Sequence, residues 1–99
     1  MNRNEIEACY HSVLQDVSSG KLAFAIGNLK RLIRQSTRTD YFYELESIEE
    51  NYRSLLKYTY EGYQDPKRGE ILRSISAAAL HLADELTLFL TEDAYPFRK

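Results

Sequence analysis

Apolar residues recur at helical spacing in four stretches of this chain, and polar runs between them mark where the helices stop. In the first stretch Ile6, Tyr10, Val13, Leu14 and Val17 fall on one face, which predicts a helix over 5–17 that begins after Asn4. Ser18, Ser19 and Gly20 close it, Gly20 being able to take the left-handed conformation that ends a helix. The second stretch predicts a helix over 21–35 with a core face of Leu22, Ala25, Ile26, Leu29, Leu32 and Ile33. So short a connection makes the first two helices an antiparallel hairpin. Ala23 and Gly27 lie on a flank of that face. Because Gly costs ~1 kcal/mol in a helix interior, its presence there points to another backbone passing close by, the alternative being a Gly that the helix simply tolerates.

A polar connector over 36–40 follows, in which Thr39 or Asp40 can cap the next helix. The third helix is predicted over 41–63, with Tyr41, Leu45, Ile48, Tyr52, Leu55, Leu56, Thr59 and Tyr63 on one side and Glu49, Glu50 and Arg53 paired on the solvated surface. Gly62 and Gln64 break it. The fourth helix, 66–92, has the clearest start: Asp65 as cap, Pro66 at the first helical position and Glu70 near the positive end of the helix dipole. Ile71, Leu72, Ile75, Ala78, Ala79, Leu82, Leu86, Phe89 and Leu90 form its core stripe, while Ala77, Leu80 and Leu88 lie off it. A helix apolar on its back as well as its front is central to a bundle or lies against something further. This helix is therefore expected to be the one on which the others pack.

Alternation of β-branched residues is absent over any useful length, and only four Gly and two Pro interrupt a chain rich in helix formers, so the class is all-α. Ninety-nine residues make a single domain, 1–99, with one core. The expected fold is two unequal antiparallel helical hairpins, either a four-helix bundle or the start of a TPR-like α-solenoid. A net charge of −2, from 13 basic and 15 acidic residues, gives no global field that draws the chain to nucleic acid or anionic lipid. Cys9, the single cysteine, excludes an internal disulfide and a thiolate metal cage. With no apolar leader and no stretch near the ~20 apolar residues of a membrane span, a cytoplasmic location is the default expectation. The tail over 94–99 carries no cap of its own and reads as the cut end of an N-terminal fragment of a longer protein.

Candidate chemistry is sparse. Tyrosines concentrate on the third helix, and Tyr43 and Tyr58, off the core stripe, are candidate partner contacts, although long side chains also cover the rim of any small bundle. His81 with Asp84 and Glu85 has the spacing of ligands on one helical face, so a small metal protein or enzyme using His81 and Asp84 is one alternative. A bundle di-metal centre needs a Glu-x-x-His and further Glu residues on facing helices, and none is found; no cofactor is expected. Cys9, beside a core face, reads as an inert thiol. Lys30, Arg31, Arg34 and Arg38 form the one local basic concentration, a weak nucleic-acid signal opposed by Glu44, Glu46, Glu49 and Glu50 if these lie close.

The segment from Glu50 to Arg68, continuing through Ile71 to Leu86, resembles the N-terminal region of large uncharacterised bacterial proteins that carry tetratricopeptide-type repeats. Tyr52, Arg53, Leu55, Tyr58, Gly62 and the Asp65-Pro66 helix start carry the likeness, which covers about half the chain. It implies the front segment of a longer helical protein whose later repeats bind peptides or proteins, and it carries over no catalytic residue. The first hairpin matches one such repeat in length, but the signature Trp, Gly, Tyr, Ala and Pro positions do not line up, and the second pair is longer than a standard repeat. The functional expectation is a non-catalytic protein-interaction or scaffold segment. Its partner surface would be Ala77, Leu80 and Leu88 with Tyr43 and Tyr58, and its partner a protein: a second copy docked through the last helix, or the rest of the parent chain.

Overall fold

A computed structural model describes residues 2–36, 38–60 and 67–93, with the backbone alone at 58–60, 67 and 92–93. They form four helices, α1 (Arg3–Ser18), α2 (Leu22–Ile33), α3 (Thr39–Tyr60) and α4 (Lys67–Asp93), and no strand occurs among the described residues. The predicted break at Gly62, the Asp65-Pro66 start and Tyr63 lie outside them.

Local chemistry sets the helix ends. The Asn2 side chain accepts the Glu5 N–H at 2.8 Å, so α1 starts before Asn4, where apolar spacing alone placed it. At its other end Gly20 has φ +75°. The Lys21 N–H donates to the Asp16 carbonyl at 2.7 Å and the Gly20 N–H to the Val17 carbonyl at 3.1 Å, a paired closure that satisfies carbonyls the helix leaves open. The chain reverses there into α2, which is shorter than the predicted 21–35. Beyond Ile33 the N–H groups of Gln35 and Ser36 bond three residues back, to Leu32 and Ile33, and the helix tightens and stops. Ser36 Oγ then accepts the Arg38 N–H at 3.1 Å, and α3 begins at Thr39.

All six predicted core residues of α2 are buried, and Leu29 and Leu32 are among the most completely sealed side chains. Helix α4 packs on α1, α2 and α3, as its two-sided apolar pattern suggested, and α2 packs on α1, α3 and α4. Helices α1 and α3 occupy the far corners and do not meet among the described residues. Because α1 reaches α4, the four helices close into a ring, so the bundle and not the open solenoid is the architecture observed. Contact between α2 and α4 compresses it across one diagonal.

That closure rotates the buried arc of α4. Ile75, Ala79, Leu82, Ala83, Leu86 and Leu90 are buried, so Ala83, outside the predicted stripe, belongs to the core. Ala78 and Leu72, inside it, face solvent instead. The arc turns because α4 covers α1 as well as α2 and α3. On α1, Cys9 is buried beside Ile6 and Val13, while Tyr10 and Val17 pack on the core partly exposed. On α3, Tyr41, Leu45, Ile48 and Leu55 are buried, whereas Leu56 is 42% exposed.

Of the two readings of Gly27, the tolerated glycine holds and the close backbone does not: a Cβ built there meets no heavy atom within 4 Å. Two substitutions follow with opposite signs. Gly20→Ala, which forces a side chain into the left-handed region, is expected to lower unfolding stability by roughly 1–2 kcal/mol. Gly27→Ala, in open space inside a helix, is expected to raise it by about 0.5–1 kcal/mol. Urea denaturation of both variants checks this, and a destabilising Gly27→Ala would contradict it.

Candidate functional site

The off-stripe residues of α4 do not form one continuous apolar surface. Ala77 is exposed and Leu88 is 62% exposed, but Leu80 is half-buried. Leu80 lies one turn from Asp84, whose Oδ1 accepts the Tyr10 hydroxyl of α1, so it turns toward that helix. Ala77 and Leu88 stand ~16 Å apart along the axis, with His81 and Asp84 between them. Tyr43 is exposed, but it points away from this flank. It lies two positions, about 200° of turn, from Tyr41, and Tyr41 faces α4 with its ring edge-on to Phe89 at 5.8 Å. The Tyr58 side chain lies outside the described residues.

His81 and Asp84 are drawn to different partners: His81 Nε2 lies 2.8 Å from Glu85 Oε1, and Asp84 holds Tyr10. Among the described residues no group of three or more His, Cys, Asp or Glu is placed to hold a metal ion. The Cys9 Sγ donates to the Asn28 carbonyl at 3.3 Å, and burial pushes its thiol above the ordinary pKa, the condition of an unreactive cysteine.

The basic residues of α2 and its connector do not form a single cationic surface either. Lys30 Nζ reaches across to Glu49 Oε2 of α3 at 3.0 Å, and the same carboxylate lies 3.7 Å from Arg53, so Glu49 is drawn inward between two cations and is not solvated as expected. Arg38 is committed to the fold. Its guanidinium lies 4.6 Å over the Tyr41 ring and 5.3 Å over that of Phe89, and it donates to both Asp40 oxygens. This pairing holds the Asp40 carboxyl below its usual pKa. No helix of the described residues is long and apolar enough to cross a membrane.

What sequence reasoning missed is a groove between α2 and α3. One part, about 530 Å³, opens between Ile33 of α2, with Arg34 just past its end, and Phe42, Leu45 and Glu46 of α3. A second, about 270 Å³, lies over Ala23 and Gly27 and is bounded across by Tyr52 and Leu56. Lys30, Glu49 and Arg53 line both and form its charged middle. Phe42, 49% exposed, and Leu56 mark its two ends. The groove stays open because Ala23 and Gly27 put no bulk on the α2 side, leaving Leu56 uncovered. The signal was present as an apolar pair spaced Phe42 to Leu56, two heptads along α3, facing a small-residue flank of α2. It was obscured because Leu56 also fits the edge of the core stripe.

Comparison of the chain with family models, with curated proteins and with solved structures finds no match in any of the three.

The bond between α1 and α4 gives a pH test. The Asp84 hydrogen bond, then burial, then the Asp84 charge raise the Tyr10 pKa above its usual value near 10. A phenol with a raised folded pKa contributes stability that is fully present below the unfolded pKa and lost as pH rises through the folded one. Tyr10→Phe is therefore expected to lower stability at pH 7 by no more than about 1 kcal/mol, with the difference from the parent shrinking as the pH rises beyond about 10. Urea midpoints measured from neutral to alkaline pH check this; a difference that stays constant would contradict it.

Proposed function

We propose that this chain is a non-catalytic protein-interaction or scaffold segment and that the α2–α3 groove is the surface that docks another protein. The observation that carries the reading is the pair Phe42 and Leu56, large apolar side chains left in solvent at the two ends of an open groove with a charged middle. Apolar anchors beside hollows, with charge around them, have the anatomy of an interface, and exposing them does nothing for the isolated fold. The likeness of Glu50–Leu86 to the front of large repeat proteins supports placing the segment within a longer helical protein. A second surface is favoured by one observation, the exposure of Leu88, which would put a partner on the outer flank of α4 with Ala77 and Leu80 at its edge.

Photo-crosslinking residues at Phe42, at Leu88 and at the exposed control Ser47, in the full-length protein in its own cells, test this. The expected result is a protein adduct at Phe42 that is absent at Ser47 and lost when Leu56→Glu is added. Adducts only at Leu88 would move the docking surface to α4, and no adduct at either position beyond the Ser47 background would overturn the interaction reading.

A further inference from the structure

We infer that the occupant of the α2–α3 groove is a second copy of this chain, docked about a two-fold axis that runs parallel to the two helices. The inference rests on the groove being a docking surface and adds what fills it. The groove has a sign on each wall. Lys30 and Arg34 line the α2 side, and Glu46, Glu49 and Glu50 line the α3 side together with Arg53. Two cations on the α2 wall therefore face a net charge of −2 on the α3 wall, where Arg53 offsets one of the three carboxylates, and the lining as a whole is neutral. A neutral strip with opposite walls offers no net attraction to a polyanion such as nucleic acid, or to a uniformly acidic or basic peptide. It does match a surface with the same two walls in reverse order, which is what an identical copy turned over presents.

The direction of the axis follows from the level of each residue along the groove. Helices α2 and α3 run antiparallel, with Arg34 level with Phe42 and Glu46 at one end and Ala23 and Gly27 level with Leu56 at the other. A two-fold axis along the groove exchanges left and right but preserves level. It sets α2 of one copy over α3 of the other, so Arg34 meets Glu46 and Leu56 enters the hollow over Ala23 and Gly27. Each Phe42 lies over the Ile33 end of the α2 wall in the other copy. A two-fold axis across the helices would instead set α2 on α2 and bring basic walls together. Helix α2 offers only 12 residues to the contact, a small face for a specific interface, so the dimer is a reversible one that dissolves on dilution.

Sedimentation velocity across a concentration series tests the inference with the reciprocal pair Arg34→Glu and Glu46→Arg. Both residues are exposed, so each variant keeps its helical circular dichroism. The wild type is expected to shift from monomer to dimer as concentration rises, and each variant alone to self-associate at least about tenfold more weakly. An equimolar mixture of the two is expected to recover the dimer, because one contact is then native and the other reversed in both partners. A wild type that stays monomeric throughout, or variants that dimerise like the wild type, would overturn the inference. So would a mixture that fails to recover the dimer. A Phe42 adduct to a different polypeptide, with no adduct to this chain, would also overturn it while leaving the interaction reading in place.

Discussion

Burial of the apolar faces of α2 and α4, the two helices that each pack on the other three, is the constraint on which the remaining structure depends. Leu29 and Leu32 on one helix and Leu82 and Leu86 on the other are sealed from solvent, and burying a Leu fully is worth roughly 1.5–3 kcal/mol against the entropy of ordering the chain. Ala79 and Ala83 leave the buried arc of α4 low, which suits the approach of α2. With these two helices touching, α1 and α3 can only fill the opposite corners, each against both members of the pair. The ring then closes through Tyr10 and Asp84 on one side, and through Tyr41, Phe89 and the guanidinium of Arg38 on the other.

The same contact leaves an open side. Helix α2 is the shortest of the four, and its inward face is occupied by α1, α4 and one edge of α3. Among the described residues no helix covers its outward face, Ala23, Gly27 and Lys30 with Arg34 just past its end, and the matching stripe of α3 that ends in Phe42 and Leu56 stays uncovered with it. In a bundle with a longer α2 bearing larger residues at 23 and 27, Leu56 would be core. The groove is thus a consequence of where two small residues stand, and Lys30 and Glu49 hold its walls in register without filling it.

The helices themselves were legible in the sequence because burial follows one strong periodic signal, clearest in α2, where every expected core position is sealed. The errors arose where a residue's environment depends on a neighbouring helix. Ala83 and Ala78 exchanged places because the arc α4 buries is set by three partners, which a single-helix pattern does not contain. Cys9 was placed beside the core and not in it for the same reason. Gly27 could be read as a close approach or as a tolerated residue, and it borders open space; a small residue looks the same in sequence whether something touches it or nothing does. Arg38 was grouped with the basic residues of α2, although Tyr41 three positions on was the hint of a stacked guanidinium. The groove combined two such ambiguities, at Leu56 and Gly27, and so was not visible until both helices were placed together.

Paired truncations of equal chemistry measure the account most directly: Leu86→Ala in the α4 ridge against Leu56→Ala at the groove, compared by urea unfolding of dilute protein. Leu86→Ala is expected to cost about 2–5 kcal/mol, and Leu56→Ala less than about 1 kcal/mol. Equal losses at the two positions would show that Leu56 is part of the core, that the groove is not open in solution, and that the division between a supporting diagonal and a free face is wrong.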